Sequence, residues 1–372
     1  MRAAADVVRR SSTRALSTSA AVRQKLRTTS QPLRIASQPL RIAAYPGDGI
    51  GVDVTTEAFR LIEHVQSAVG GFAVEPTWYG WNSGSYFDTH GVAAPSDMIA
   101  TLRPFDAVFL GAVGWPERQA DHVTLEPLIR MRQAFDLYAC VRPARTYPGV
   151  PMPLARGQSI DMVVVRENSE GEYVHAGGRH ARGQPAEVTV QTAVHTRRGV
   201  ERAIRFGLEL ARSPTRRGKL TLITKSNAMV HSMVMWDEIM DELVASGEFA
   251  DVTVDKQHVD AAAMNFVRRP EDFDVVVASN LFGDILTDLS GAVTGSIGLN
   301  PSANLDPSRA SPSLFEPVHG SAPDIAGHGV ANPVAAILSA ALMLEWLQVP
   351  PEVPAAIRRA VEGALSARES TV

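Results

Sequence analysis

Apolar residues recur with two periods along this chain. Short runs rich in β-branched residues, at 106–110, 160–165, 219–224 and 273–278, read as strands buried on both faces. Between them, segments 52–69, 196–212, 233–246 and 284–293 place apolar side chains every three to four residues, the spacing of amphipathic helices. That alternation predicts an α/β chain with flanking helices and a mixed, largely parallel central sheet. In such sheets ligands collect just past the carboxyl ends of the strands, so the residues after each run are where chemistry is sought. The longest apolar stretch, 330–347, is broken by Asn332, Pro333, Ser339 and Glu345. It therefore reads as a buried helix, with Asn332 as N-cap and Pro333 in the first helical position, and not as a membrane span.

Charge changes this picture mainly at one end. The 372 residues carry 36 Lys+Arg against 40 Asp+Glu, a formal net charge of −4, which argues against a dedicated nucleic-acid binder. An apolar fraction of 45% with 20% charged residues excludes a wholly disordered chain, and the length suits about two domains. The single cysteine, Cys140, permits neither an internal disulfide nor a Cys-based zinc site. Residues 1–43, however, hold eight Arg and one Lys against Asp6, together with Ser11, Ser12, Thr13, Ser17, Thr18 and Ser19. Arg-rich, Ser-rich and acid-poor is the composition of a mitochondrial transit peptide; a disordered basic tail is the alternative. The expected location is the mitochondrial matrix, or the cytoplasm if this segment is not a working signal. The remaining chain has 27 basic and 39 acidic residues, a net of −12. A duplicated heptad, Ser30-Gln-Pro-Leu-Arg-Ile-Ala36 followed by the same residues at 37–43, closes the segment, and only its second copy runs directly into the folded pattern.

Candidate chemistry lies after the strands. Gly47-Asp-Gly-Ile-Gly51 has Val52 where a dinucleotide fingerprint needs its third glycine, so it is either a tight turn or a phosphate-approaching loop, and no Rossmann domain is expected. Asp284 and Asp288 are four apart and share one helix face, where they form either a solvated acidic face or part of a Mg²⁺ or Mn²⁺ site that Asp260 could complete. Arg132, Arg142 and Arg166 would suit a di-acid or hydroxy-acid if they converge, since guanidinium groups match carboxylates in bidentate geometry; single surface ion pairs are the alternative. Tyr173 and Lys225 are the remaining polar groups beside these strand ends, and either could transfer protons.

These residues sit in an ordered set of motifs: Gly47-Asp-Gly-Ile-Gly51, Gly111-Ala-Val-Gly114, Arg166-Glu-Asn-Ser-Glu-Gly171, Thr224-Lys-Ser-Asn227, Asn280-Leu-Phe-Gly-Asp-Ile-Leu-Thr-Asp288 and Glu316-Pro-Val-His-Gly-Ser-Ala-Pro-Asp-Ile-Ala-Gly327. From about residue 41 to 347 the chain resembles the metal-dependent β-decarboxylating dehydrogenases, the isocitrate, isopropylmalate and tartrate/D-malate group. Gly114-Trp-Pro116, Asp121-His122 and the run from Arg166 to Tyr173 most resemble the tartrate/D-malate branch. The resemblance implies an isopropylmalate dehydrogenase-like two-domain fold: 44–137 with 296–372 on the cofactor side, and 138–295 carrying the substrate, metal and dimer contacts. It implies that Arg132, Arg142 and Arg166 hold substrate carboxylates, that Asp260, Asp284 and Asp288 ligate Mn²⁺ or Mg²⁺, and that Lys225 and Tyr173 move protons. It further implies a homodimer in which Lys225 and Asp260 reach the neighbouring subunit's site. For the cofactor it implies NAD, bound by His319, Gly320, Ser321, Ala322, Asp324, Asn332 and Asn227, because NADP-dependent relatives carry Lys-Tyr where this chain has Asp324-Ile325. K⁺ is a further candidate cation.

The implied reaction is oxidation of a small 2-hydroxy dicarboxylic acid, D-malate or tartrate, followed by loss of CO₂. Three departures bear on it: Leu125-Glu-Pro-Leu-Ile-Arg-Met-Arg132 lacks a Trp-Gly usual in the tartrate/D-malate branch, Cys140 replaces a common Asn, and the family continues with a Gly-rich turn and a further helix. The alternatives are 3-isopropylmalate, with Leu125, Leu128 and Ile129 lining an apolar pocket, and a catalytically silent regulatory paralogue.

Overall fold

The computed structural model describes residues 38–155 and 157–367. Residues 1–37, which hold most of the basic segment and the first copy of the heptad, lie outside the described residues. The second copy does enter the fold, and earlier than expected: a boundary at residue 44 falls inside the first strand, β1 (Leu40–Gly47), whose Ile42 and Ala43 are fully buried.

Eleven further strands follow: β2 (Val74–Trp78), β3 (Ala107–Ala112), β4 (Ala139–Arg145), β5 (Asp161–Glu167), β6 (Gly177–His180), β7 (Val188–Gln191), β8 (Lys219–Thr224), β9 (Thr253–His258), β10 (Val275–Ala278), β11 (Pro301–Leu305) and β12 (Ser313–Pro317). Ten of the described strands form one sheet in the order β2-β1-β3-β12-β11-β4-β5-β10-β8-β9. Four strands run parallel at one edge (β2, β1, β3, β12) and four at the other (β5, β10, β8, β9). Direction reverses at each of the three junctions around β11 and β4, so the two parallel groups run in opposite senses. The sheet is thus mixed and largely parallel, as the alternation predicts. β6 and β7 form a separate exposed hairpin.

Eight described helices have nine or more residues: α1 (Ile50–Val69), α2 (Glu126–Ala134), α3 (Arg197–Ala211), α4 (Met233–Ala245), α5 (Val259–Arg268), α6 (Asn280–Thr294), α7 (Val334–Trp346) and α8 (Glu352–Ser366). The predicted helices all form, with shifted ends. α6 begins four residues before the expected 284, directly at the end of β10, so Asp284 sits in its second turn. α7 starts at Val334, with Asn332 Oδ1 accepting the Val334 N–H at 3.1 Å; Pro333 is therefore a cap residue and not the first helical one. At α3 the Thr196 hydroxyl accepts the Gly199 N–H, occupying a backbone donor that the helix cannot satisfy itself.

The core explains the continuous apolar runs. α1, α7 and α8 cover one face of the β1–β3–β12 half, where Ile42, Phe59, Phe109 and Leu344 meet. α3 and α4 cover the β8–β10 half around Val277 and Trp236. Gly207 lets α3 dock closely, because a Cβ there would lie 2.2 Å from Val277 Cγ2. Strands clad on both sides need apolar side chains at every position, which is why β10 reads Val-Val-Val-Ala. Among the described residues no helix is long and apolar enough to cross a membrane.

Candidate active site

Antiparallel pairing of β4 with β5 sets Cys140 opposite Arg166. Arg142, two residues along from Cys140, then shares Arg166's face. α6 crosses that face, and Gly283 allows the approach: a Cβ at 283 would stand 2.7 Å from Arg166 Cβ. The result is a cluster centred on Asp284. Arg166 ion-pairs with Asp284 Oδ1, and Arg142 reaches the same oxygen at 3.3 Å while donating to Thr287 Oγ1 at 2.7 Å. Tyr173 Oη donates to Asp284 Oδ2 at 2.6 Å, and the Arg166 guanidinium lies 5.1 Å from the Tyr173 ring centroid. Arg132 comes from α2 on the other half of the sheet and donates to Glu316 Oε1 at 2.9 Å. All three arginines are buried, so the alternative of exposed surface pairs is excluded.

Electrostatics show that these groups sense one another. Burial, then Arg142 and Arg132, pull Arg166 down to about 10. For Asp284, burial acts upward, but Arg166, Arg142, the Tyr173 hydroxyl and Arg132 outweigh it and hold the carboxyl below its usual range. Burial, with Asp284 as hydrogen-bond acceptor, raises Tyr173 and keeps it a phenol at neutral pH. Asp288, exposed one turn beyond Asp284, has no hydrogen-bond partner among the described residues, and burial of its surroundings together with Asp284 shifts it upward. The Nε donors of Arg132 and Arg142 are buried without an acceptor. Those two donors are positioned to take an anionic ligand.

Lys225 and Asp260 pair with each other. Lys225, just past β8, donates to Asp260 Oδ1 at 2.7 Å, and no hydrogen bond or ion pair joins either residue to the Asp284 cluster among the described residues. Correspondingly, no group of three or more acidic, His or Cys side chains in this chain alone could hold a metal ion, within the described residues. The expected triad of Asp260, Asp284 and Asp288 is therefore not assembled by one chain, nor is Tyr173 joined to Lys225.

The glycine loop proves to be a junction of three strand-end loops. A Cβ at Gly49 would fall 2.0 Å from the Ser321 carbonyl oxygen, one at Gly47 1.9 Å from the Ala112 carbonyl oxygen, and one at Gly51 2.3 Å from the Pro46 carbonyl oxygen. Asp48, buried, accepts from Ser83 N, Ser83 Oγ and Gly114 N at 2.6–2.8 Å, while Ser321 Oγ donates to the Gly114 carbonyl. These contacts stitch loops 47–51, 111–114 and 319–327 together at the ends of β1, β3 and β12. Ala322 has φ 35°, which bends the last loop, and Asp324 and Gly320 are exposed on it. His319 Nε2 and Asn332 Nδ2 are buried without partners, two free polar groups of the kind a cofactor would engage. Asn227 is exposed and makes no hydrogen bond among the described residues. Of the proposed isopropyl-pocket residues, Leu128 is in the core and Leu125 packs against it, leaving Ile129.

Comparison with known proteins decides the family. A family model described as isocitrate/isopropylmalate dehydrogenase matches residues 41–372. This chain belongs to that family. Like its relatives it is an oxidoreductase acting on a hydroxyl group. It is 50% identical over 305 residues to a D-malate dehydrogenase [decarboxylating] of Escherichia coli (strain K12), covering 81% of this chain and 83% of the relative. It is 48% identical over 301 residues to a probable tartrate dehydrogenase/decarboxylase of Bacillus subtilis (strain 168), with the same two coverages. Isocitrate dehydrogenase from Methylococcus capsulatus shares the fold with a TM-score of 0.77 and 34% identity, over 90% of this chain and 93% of that one. The isopropylmalate dehydrogenase-like architecture expected from the motifs is the one observed.

Several residues of this family member's site were not singled out from sequence. Asn280, the first residue of α6, accepts from Arg166 Nε at 2.9 Å and Nη2 at 2.6 Å through one oxygen, and its amide donates to the Glu170 carbonyl. Thr287 braces Arg142, and Glu316 braces Arg132. Their only sequence signal was membership of the motifs; each acts on a residue more than a hundred positions away.

Proposed function

We propose that this chain catalyses the NAD- and divalent-metal-dependent oxidative decarboxylation of a small 2-hydroxy dicarboxylic acid of the D-malate or tartrate type. One observation carries the reading: Arg132, Arg142 and Arg166 are buried together around Asp284, with Asp288 and Glu316 as the other nearby acids. Three cations balance three anions. A dianionic substrate and a divalent cation then enter as a neutral pair, which avoids the large penalty of burying net charge. Relatives 47–50% identical are a D-malate dehydrogenase and tartrate dehydrogenases, which favours the same substrates.

The arginines would bind and orient the two carboxylates through bidentate contacts. Asp284 and Asp288, with Asp260 of a second copy, form an all-oxygen donor set suited to Mn²⁺ or Mg²⁺. His319, Gly320, Ser321, Ala322, Asp324 and Asn332 would hold NAD, with the Asp324 carboxylate taking the ribose hydroxyls and disfavouring a 2′-phosphate. When bound, NAD⁺ supplies the hydride acceptor and the cation the Lewis acid that polarises the 2-oxo carbonyl. Lys225 takes the proton of the 2-hydroxyl. The Tyr173 hydroxyl gives its proton to the carbon that has lost CO₂, a role its raised pKa suits.

Because no hydrogen bond or ion pair among the described residues joins Lys225 or Asp260 to their own chain's cluster, we read the enzyme as a homodimer with shared sites. Ile285 on α6, Met264 and Val267 on α5, and Val188 and Val190 on the β6–β7 hairpin are exposed apolar residues that a partner would cover. In the N-terminal segment we read a mitochondrial address; a fusion of residues 1–43 to a fluorescent protein that stays in the cytosol overturns it. For the reaction, NADH formation by the full chain with Mn²⁺ is compared for D-malate, L-tartrate, meso-tartrate, 3-isopropylmalate and isocitrate. Turnover of D-malate or a tartrate is expected. Turnover of 3-isopropylmalate alone overturns the substrate assignment, and a folded dimer inert to all five is a silent paralogue.

A further inference from the structure

A buried hydrogen-bonded chain joins the two halves of the sheet beneath the arginine cluster. Arg132 donates to Glu316 Oε1 at 2.9 Å, and Asn304 Nδ2 donates to the same oxygen at 2.8 Å. Asn304 Oδ1 in turn accepts from Asn168 Nδ2 at 2.8 Å, which also donates to the Leu137 carbonyl at 3.1 Å. Asn304 is fully buried, and Arg132, Glu316 and Asn168 are each less than a tenth exposed. Asn168 is two residues past Arg166 on the same chain segment, so the relay starts at the α2 arginine and ends beside the β5 one.

Each link has a defined polarity. Glu316 Oε1 accepts from Arg132, so Asn304 presents its amide N–H₂ to that oxygen and its carbonyl to Asn168. Neither asparagine can be replaced by an apolar residue without orphaning a buried polar group. The chain fixes the Glu316 carboxylate, and the carboxylate fixes the Arg132 guanidinium, whose Nε is left free for a ligand.

We propose that Asn304 and Asn168 are positioning residues: through Glu316 they set Arg132 so that it and Arg166, which come from opposite halves of the sheet, grip one dicarboxylate. This rests on the substrate reading above. The experiment is a double-mutant cycle on the full-length dimer. The Kd for D-malate with Mn²⁺ is measured by calorimetry and the KM for NAD⁺ by NADH formation, in wild type, Asn304→Leu, Arg132→Ala and the double variant. Asn304→Leu is expected to weaken D-malate binding about tenfold, the scale of one orphaned buried polar group, while the KM for NAD⁺ stays within about twofold. In the Arg132→Ala background it should add nothing, because the residue it positions is gone. A merely structural asparagine would multiply the two effects, and that result overturns the assignment. If Arg132→Ala leaves D-malate binding unchanged, the substrate reading itself fails. Should Asn304→Leu not fold, Asn168→Ala in the same cycle gives the same two outcomes.

Discussion

Replacing Asp284 with Asn perturbs the centre of the site with the least change of shape. Asp284 Oδ1 takes Arg166 and Arg142, and Oδ2 takes Tyr173. An amide offers a single oxygen. If that oxygen stays with the arginines, the amide N–H₂ faces Tyr173, whose hydroxyl can turn and accept. Two charge-assisted hydrogen bonds become bonds to a neutral acceptor, a loss of roughly 1 kcal/mol each. Arg166, already opposed by Arg142 and Arg132, is left with less compensation, which adds to the loss. The Asp284 side chain is 35% exposed, so solvent screens part of it. The net destabilisation is about 1–3 kcal/mol, a lower Tm and a protein that still folds. Catalysis should suffer more, because a divalent cation loses an anionic oxygen: a fall in kcat/KM of about 1000-fold, or about 4 kcal/mol, is expected. The assay is NADH formation from D-malate over a Mn²⁺ titration, paired with calorimetric Mn²⁺ binding and a thermal melt. Activity within about tenfold of wild type at an unchanged Mn²⁺ midpoint would refute the metal assignment.

The shared site predicts complementation. Tyr173→Phe and Lys225→Met should each lower kcat at least about a hundredfold, yet a random mixture of the two chains should recover roughly a quarter of wild-type activity, since half the dimers carry one intact site; a mixture as inactive as its parents rules out sites built from two chains. Asp324→Lys combined with Ile325→Tyr should move preference from NAD⁺ toward NADP⁺, and an unchanged kcat/KM ratio for the two cofactors would mean that this loop does not read the ribose. His195 gives a pH test: burial, against Glu172 and Glu170, holds its imidazole below the ordinary value while Trp236 donates to Nδ1. Below about pH 6.5 the unfolded chain therefore binds a proton the folded chain refuses, and acidification destabilises the fold. In His195→Gln, which keeps an acceptor for Trp236, urea midpoints should fall less steeply on that acid side; identical slopes would contradict the linkage.

The strands at 219–224 and 273–278 and the helices between them were legible because burial on both faces, or on one stripe, writes a period into the sequence. β11 and β4, which reverse the sheet's direction, were not singled out. Pro301-Ser-Ala-Asn-Leu305 and Ala139-Cys-Val-Arg-Pro-Ala-Arg145 mix polar and apolar residues because they run under the site. The early start of α6 was hidden for a similar reason, since Asn280 and Gly283 serve Arg166 and not the helix pattern. Residue identity along the chain determined the inventory: three arginines, three aspartates, a tyrosine and a lysine in recognisable motifs, and an acidic body behind a basic segment. Only the tertiary structure decided the contacts, with Arg142, Arg166 and Tyr173 on Asp284, Arg132 on Glu316, and Lys225 on Asp260. It also revealed that Glu316, Asn304 and Asn168 stand behind Arg132. Local periodicity encodes which face of an element is buried, but contacts across more than a hundred residues depend on strand order and register, and those are set by packing of the whole sheet.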